Sequence, residues 1–256
     1  AVRALARVHR YAEWLRRPTG TAPALPGVDR DAAHAALRAD ATDPGALLAA
    51  YGIDVVASVP VDSADAAVDA AARLGFPVAL KAAAPGLRHR LDLGAVRLDL
   101  PDEPTLRRAY VELAAAFGAD ALVQPMVPPG VACVVEVVED PAFGPVVGFG
   151  LGGVATELLG DRAWRAVPLT DTDAAELVDE PRAAPLLRGH RGAAPVDRAA
   201  LADLLLRVGQ LADEQPRVRS LTLNPVLARP DGISVLHAQV RVGGAAARPD
   251  TGPRRL

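Results

Sequence analysis

PVALKAAAPGLRHRLDLGAVRLDL, residues 77–100, contains Lys81, the single lysine of the chain. Every other Lys/Arg position is an arginine. PVALKA and AVRLDL have the apolar content of strands, and the segment between them carries His89 and Asp92 before closing at Gly94. A chain that uses arginine everywhere else keeps a lysine on an apolar strand. The compact ammonium of lysine reaches a phosphate from a narrow strand position, where a planar guanidinium is harder to place. Glycines nearby let backbone N–H groups approach phosphate oxygens. The stretch reads as one wall of a phosphate site on a strand–loop–strand unit.

Helices and strands extend on both sides. DSADAAVDAAARLG (62–75) is a helix capped by Asp62 or Ser63 and stopped by Gly75, and IDVVASVPV (53–61) before it reads as a strand. VDRDAAHAALRAD (28–40) and DPGALLAAYG (43–52) read as short helices. AVRALARVHRYAEWLRR (1–17) repeats apolar residues at helical spacing, and PTGTAPALPG (18–27) has linker composition. Downstream, DEPTLRRAYVELAAAFG (102–118) is a second capped helix. ALVQPMV (121–127), VACVVEVVED (131–140), GPVVGFG (144–150) and RAWRAVPL (162–169) read as strands. DRAALADLLLRVGQLADEQ (197–215) is a long helix with apolar residues at core spacing. RSLTLNPVLA and GISVLHAQVRV then read as two strands around the turn RPDG. The mixture predicts an α+β (α/β) fold.

Composition narrows the function classes. Half the residues are apolar, and the formal net charge of −3 argues against a nucleic-acid partner. No apolar run approaches the ~20 residues that span a bilayer, so no membrane partner is expected. One cysteine, Cys133, forms no internal disulfide, which suits a cytoplasmic location. A start at Ala1, with Met126 as the single methionine, suggests a piece of a longer protein. GFGLGG (148–153) fits a dinucleotide fingerprint by letter, but the helix after it is too short for one. Metal, P-loop and hydrolase-elbow motifs are absent from the sequence. His9, His34 and His190 stand alone.

Several blocks together resemble one family. PVALKAAAPGLRHRLDLGAVRLDL is similar to the PVVLK…HKSDVGGVRL segment of NDP-forming acyl-CoA synthetases. ALVQPMVPPGV, DPAFGPVVGFGLGGVATELLGD and LTLNPVLARPDG resemble later blocks of that family, in the same order. The likeness, from about Leu47 to Val242, implies an ATP-grasp fold similar to the succinyl-CoA synthetase β subunit. Its two lobes would each hold a mixed or antiparallel sheet flanked by helices. The implied division is an N-terminal helix from a preceding domain (1–18), a linker (19–28), an N-terminal lobe (29–127), a C-terminal lobe (128–243) and a disordered tail (244–256). The family reaction is acyl-CoA + ADP + phosphate ⇌ acid + CoA + ATP, through an acyl phosphate and a phosphohistidine.

Carried across, the resemblance assigns nucleotide binding to Lys81, Asp92, Gly94, Gln124, Pro125, Met126 and Glu157. His89 matches a proposed phosphohistidine relay and Asn224 a magnesium ligand. ATP or ADP with magnesium are the implied cofactors. Coenzyme A would bind only through CoA-binding and ligase domains elsewhere in a parent chain or in a partner subunit. Such chains are also found fused to GNAT acyltransferases.

This sequence departs from the family at the chemistry. HKSDVGG is HRLDLGA here, with Leu91 for a hydroxyl residue and Ala95 for glycine. Ala132 replaces a glutamate, Glu136 a glycine and Thr222 an acidic residue. His237 occupies the position of a metal-binding aspartate. Magnesium demands hard oxygen donors and binds imidazole poorly. Each lost charged contact costs about 1.5–3 kcal/mol, so two or three weaken Mg-nucleotide binding roughly 1000-fold or more. Glu136 and Asp231 are the carboxylates available to compensate. The expected function is a nucleotide-binding domain of an acyl-CoA synthetase with impaired catalysis. The alternative is a degenerate module that regulates an attached GNAT acyltransferase.

Overall fold

Alternation along VALKA sends Val78, Leu80 and Ala82 to one face of a strand and Ala79 and Lys81 to the other. The computed structural model, which describes residues 2–38, 44–84 and 93–244, builds a small sheet around that strand. Three helices precede it: α1 (Val2–Arg16), α2 (Arg30–Arg38) and α3 (Gly45–Ala49). The sheet contains β1 (Val59–Val61), β2 (Val78–Ala82), β3 (Val96–Leu100) and β4 (Ala121–Pro125) in the order β1-β4-β2-β3. All its pairings are antiparallel. Helices α4 (Ala64–Leu74) and α5 (Glu103–Phe117) cover one face, where Ala67, Ala70, Leu106 and Leu113 pack with Val78 and Leu80. Ser63 Oγ caps α4 by accepting from Ala66 N, and Asp102 caps α5 through Thr105 N. Each such cap contributes about 1 kcal/mol.

The second sheet contains β5 (Val131–Asp140), β6 (Gly144–Leu151), β7 (Ala163–Ala166), β8 (Val218–Arg229), β9 (Gly232–Val235) and β10 (Ala238–Val242). Its order is β10-β8-β5-β6-β7, with β9 also paired to β8, and its pairings are antiparallel. Cys133, Val135, Val137, Val147, Phe149, Leu151, Leu221 and Leu223 form its core face. The long helix α8 (Arg198–Glu214) fills that face with Leu201, Leu204, Leu205, Val208 and Leu211. Helices α6 (Val154–Leu159) and α7 (Asp171–Asp179) and a 3-10 turn (Ala184–Arg188) complete the described elements. Two sheets, each with helices on one face, match the α+β architecture expected from the sequence.

Three details differ from the sequence reading. First, IDVVASVPV is a strand only over Val59–Val61. Val55 instead makes an isolated parallel bridge to Val235. Second, GISVLHAQVRV is two strands, broken at Leu236 and His237 opposite the point where β8 carries an extra residue. Cys133 pairs with Val226 but Val135 with Leu223, so Asn224 and Pro225 form a bulge inside β8 rather than a link between strands. Third, residues 30–38 and 44–53 pack with the larger core, although the expected lobe boundary (29–127) grouped them with the small sheet. Leu37, Leu47, Leu48, Tyr51 and Ile53 join α8 there. Polar anchors fix them: Arg30 pairs with Glu214 at 2.7 Å, and the Tyr51 hydroxyl donates to Glu214 Oε2 at 3.0 Å.

Candidate functional site

Lys81 occupies the small-sheet face turned away from α4 and α5 and is 8% exposed. Ala79 pairs with Gln124 across β2 and β4, so Lys81 and Gln124 are diagonal neighbours on one face. Lys81 Nζ donates to Gln124 Oε1 at 2.5 Å. Burial beside this neutral partner pushes the Lys81 ammonium down to about 8. The Gln124 amide nitrogen donates to Val56 O and to Leu236 O, both at 2.9 Å. Leu236 belongs to the larger sheet's β9–β10 break, so this one side chain joins the two sheets.

The same junction holds the expected metal positions. Asn224 N donates to His237 O at 3.0 Å, and Leu236 N donates to Pro225 O at 3.0 Å. Hydrogen bonds therefore link Lys81, Gln124, the Leu236–His237 break and Asn224 in one chain. Pro125 pairs with Val78, and the Met126 N–H donates to Pro77 O at 3.1 Å. Gly94 has φ +72° and its carbonyl accepts from Arg97 at 2.8 Å. Glu157 lies in α6. His89, Leu91 and Asp92 fall outside the described residues.

The second sheet's face opposite α8, which carries Glu136 and Thr222, is the floor of the candidate cleft. Register aligns Thr222, Glu136, Gly148 and Trp164 in one row across β8, β5, β6 and β7. The glycines in this row and the next do not form a tight turn. A Cβ on Gly148 would lie 2.6 Å from the Trp164 ring, and one on Gly150 would lie 2.8 Å from Arg162. Glycine here makes room for side chains that lie flat across the sheet. Arg162 crosses β6 in this way and meets Glu136 Oε2 at 3.4 Å, with Nη1 donating to Leu151 O at 3.2 Å. Its side chain is 14% exposed. Sequence reasoning missed Arg162 and Trp164. The available signal was a glutamate inside a run of valines, which needs a cationic neighbour once the strand is buried.

These engagements decide whether the residues fit magnesium. The two compensating carboxylates are occupied: Glu136 by Arg162, and the exposed Asp231 by Arg229 at 3.0 Å. Asp161 accepts from the backbone N–H groups of Arg182 and Ala183, both at 2.9 Å. The side chains of the described residues at the junction itself, Asn224 and His237, are an amide and an imidazole. Among the described residues, no group of three His, Cys, Asp or Glu side chains could hold a metal ion. The donors that the described residues offer at this junction do not fit magnesium. Among the described residues, no helix is long and apolar enough to cross a membrane.

Comparison with known proteins agrees with this architecture. A family model for the ATP-grasp domain matches residues 32–242. The chain is 34% identical over 202 residues to the acetate–CoA ligase (ADP-forming) I subunit beta of Pyrococcus furiosus, a match covering 76% of this chain and 87% of that subunit. It is 38% identical over 205 residues to the acetate–CoA ligase (ADP-forming) I of Archaeoglobus fulgidus, but spans only 30% of that protein. Among solved structures, the dinucleotide-forming acetyl-coenzyme A synthetase 1 of Ca. Korarchaeum cryptofilum, bound to coenzyme A, Ca-AMPCP and HgCl+, superposes with a TM-score of 0.70. That chain is 38% identical, and the match covers 77% of this chain and 89% of that one. Two one-sided sheets joined at a buried lysine, matched over this length and at these identities, lead to one conclusion: the chain belongs to the ATP-grasp domain family.

Proposed function

We propose that this chain is the nucleotide-binding component of an NDP-forming acyl-CoA synthetase, with its phosphoryl-transfer chemistry impaired. One observation carries the reading: a lysine held by Gln124 on the cleft face of the small sheet, where the two sheets meet. A buried ammonium beside a neutral amide has unsatisfied attraction for anions, and a phosphate oxygen is a better partner than the Gln124 carbonyl. Lys81 is the phosphate contact, and the segment 124–126 lines the nucleotide's other side. His89 is the phosphohistidine relay, and Asp92, Gly94 and Glu157 contribute to nucleotide binding. The CoA and acyl sites belong to ligase domains in a parent chain or a partner subunit.

Impairment rests on three positions. Ala132 has no acceptor, Thr222 no charge, and His237 no hard oxygen. Calorimetric titration of the chain with ATP and ADP tests the reading, with Lys81→Ala as the probe. Binding that weakens about tenfold or more in the variant, while it still folds and unfolds cooperatively, supports it. Equal affinity in both proteins refutes the Lys81 assignment. No binding at millimolar nucleotide would refute the nucleotide reading and leave a degenerate or structural domain, with regulation of an attached GNAT acyltransferase as the next reading to test.

A further inference from the structure

The cleft floor carries a cation that none of the expected contacts includes. Arg162 precedes β7 and reaches back over β6 to Glu136 on β5. Gly150 lets the Asp161–Arg162 segment lie close over β6: a Cβ there would stand 2.5 Å from Asp161 O and 2.8 Å from both the Cδ and Nη1 atoms of Arg162. Glu136 pairs with Thr222 across β5 and β8, two residues before Asn224. The guanidinium thus lies on the cleft face, one strand from the position where a metal would sit.

The charge balance of this face has been inverted. A magnesium site needs acidic side chains to hold the ion, and the ion then meets the phosphates. Here Thr222 and His237 supply no carboxylate, and the one carboxylate in the row, Glu136, is held by Arg162 at 3.4 Å. The Arg162–Glu136 contact is a single long hydrogen bond rather than a bidentate pair. A guanidinium offers five donors, and the contacts to Glu136, Leu151 O and Asp161 O use only Nε and Nη1. Among the described residues no hydrogen bond engages Nη2, which suits it to a further acceptor. Guanidinium matches phosphate oxygens in a planar fork, and it neutralises phosphate charge without requiring acidic ligands of its own.

We propose that this cleft takes a nucleoside polyphosphate free of divalent cation, with the Arg162 guanidinium meeting the phosphates in the metal's place. The inference rests on the nucleotide-binding reading of Lys81. Lys81 and Arg162 grip the phosphates from the two sheets, and Glu136 holds Arg162 in the empty state. Binding exchanges the Glu136 contact for a phosphate contact, so the carboxylate opposes the ligand.

Calorimetric titration of the whole chain with ATP, in excess EDTA and in excess magnesium, tests this. Wild-type protein should bind ATP in EDTA at least as tightly as in magnesium. R162Q should lose about 10- to 100-fold of the affinity in EDTA, the range for one charged hydrogen bond. E136Q, which keeps a polar partner for Arg162 but removes the repelling charge, should bind several-fold tighter. It remains informative if R162Q fails to fold. Binding that magnesium tightens tenfold or more, or that R162Q and E136Q leave unchanged, overturns this inference while leaving the nucleotide reading in place. Absence of ATP binding in both solutions overturns both.

Discussion

Replacing Lys81 by methionine measures what it costs to hold an ammonium in the cleft. The side chain is 8% exposed, its Nζ donates to a neutral amide, and burial pushes its titration down to about 8. In the unfolded chain a lysine titrates near 10.4. At pH 7 the group is charged in both states, and the native state bears the full desolvation cost. Between pH 8 and 10.4 the unfolded chain binds more protons than the native one, so this group makes stability rise with pH. The difference between the two titration points corresponds to about 3 kcal/mol, of which about 1 is recovered by pH 9 and 2–3 by pH 10. Urea unfolding of wild-type and K81M protein at pH 7, 9 and 10, followed by circular dichroism, isolates the effect, because other titrating groups cancel in the difference. The stability of K81M relative to wild type should be greatest at pH 7 and fall by those amounts. A difference that stays flat with pH would refute the buried, desolvated ammonium. A difference that grows with pH would mean that the cleft stabilises the charge.

Three further substitutions or probes address the scaffold. Gly148→Val places a side chain against the Trp164 ring, 2.6 Å from its nearest carbon at Cβ alone. It should cost about 1–3 kcal/mol and change the near-ultraviolet dichroism, whereas an unchanged melt would mean that Trp164 does not lie over that glycine. Tyr51→Phe removes the hydroxyl that donates to Glu214 and accepts from Gln215 Nε2 at 2.8 Å. Urea denaturation should show a loss of about 1–3 kcal/mol, and no loss would show that water replaces the hydroxyl freely. Cys133 is buried, and burial pushes its thiol up to about 12. A disulfide reagent at pH 8 should label it only after unfolding, and rapid labelling of the native chain would contradict its place in the core.

Local rules carried most of the fold. Helices α4 and α5 begin at Ser63 and Asp102, the residues whose side chains accept from the third residue on, and both end at glycines with positive φ. The alternation in VACVVEVVED placed Cys133, Val135 and Val137 on the core face and Glu136 on the other. Pairings between distant segments were not legible. Val55 meets Val235, and the apolar residues of α2 and α3 join the core of the larger sheet, far along the chain. Helix α7 went unassigned, although Thr170 and Asp173 form a reciprocal capping box at its start. At the site, the motif blocks led to Lys81, Gln124, Asn224 and His237. The Arg162–Glu136 contact could not be read, because it depends on the register of three strands. Glu136 seemed free to bind a metal only while its neighbour across β6 was unknown.

Gln124 has a consequence for how the two halves respond to a ligand. Its amide nitrogen is fixed by carbonyls at Val56 and Leu236, and its oxygen faces Lys81. The side chain works like a pin through a hinge: one end is set in the larger sheet, and the other registers whether the lysine is occupied elsewhere. A ligand that draws the ammonium away leaves the pin's oxygen buried without its donor, a state worth about 1–3 kcal/mol of protest. The relief available is a small rotation of one sheet against the other, or a water drawn into the gap. A ligand bound at Lys81 would thus be felt in the larger sheet through a single amide.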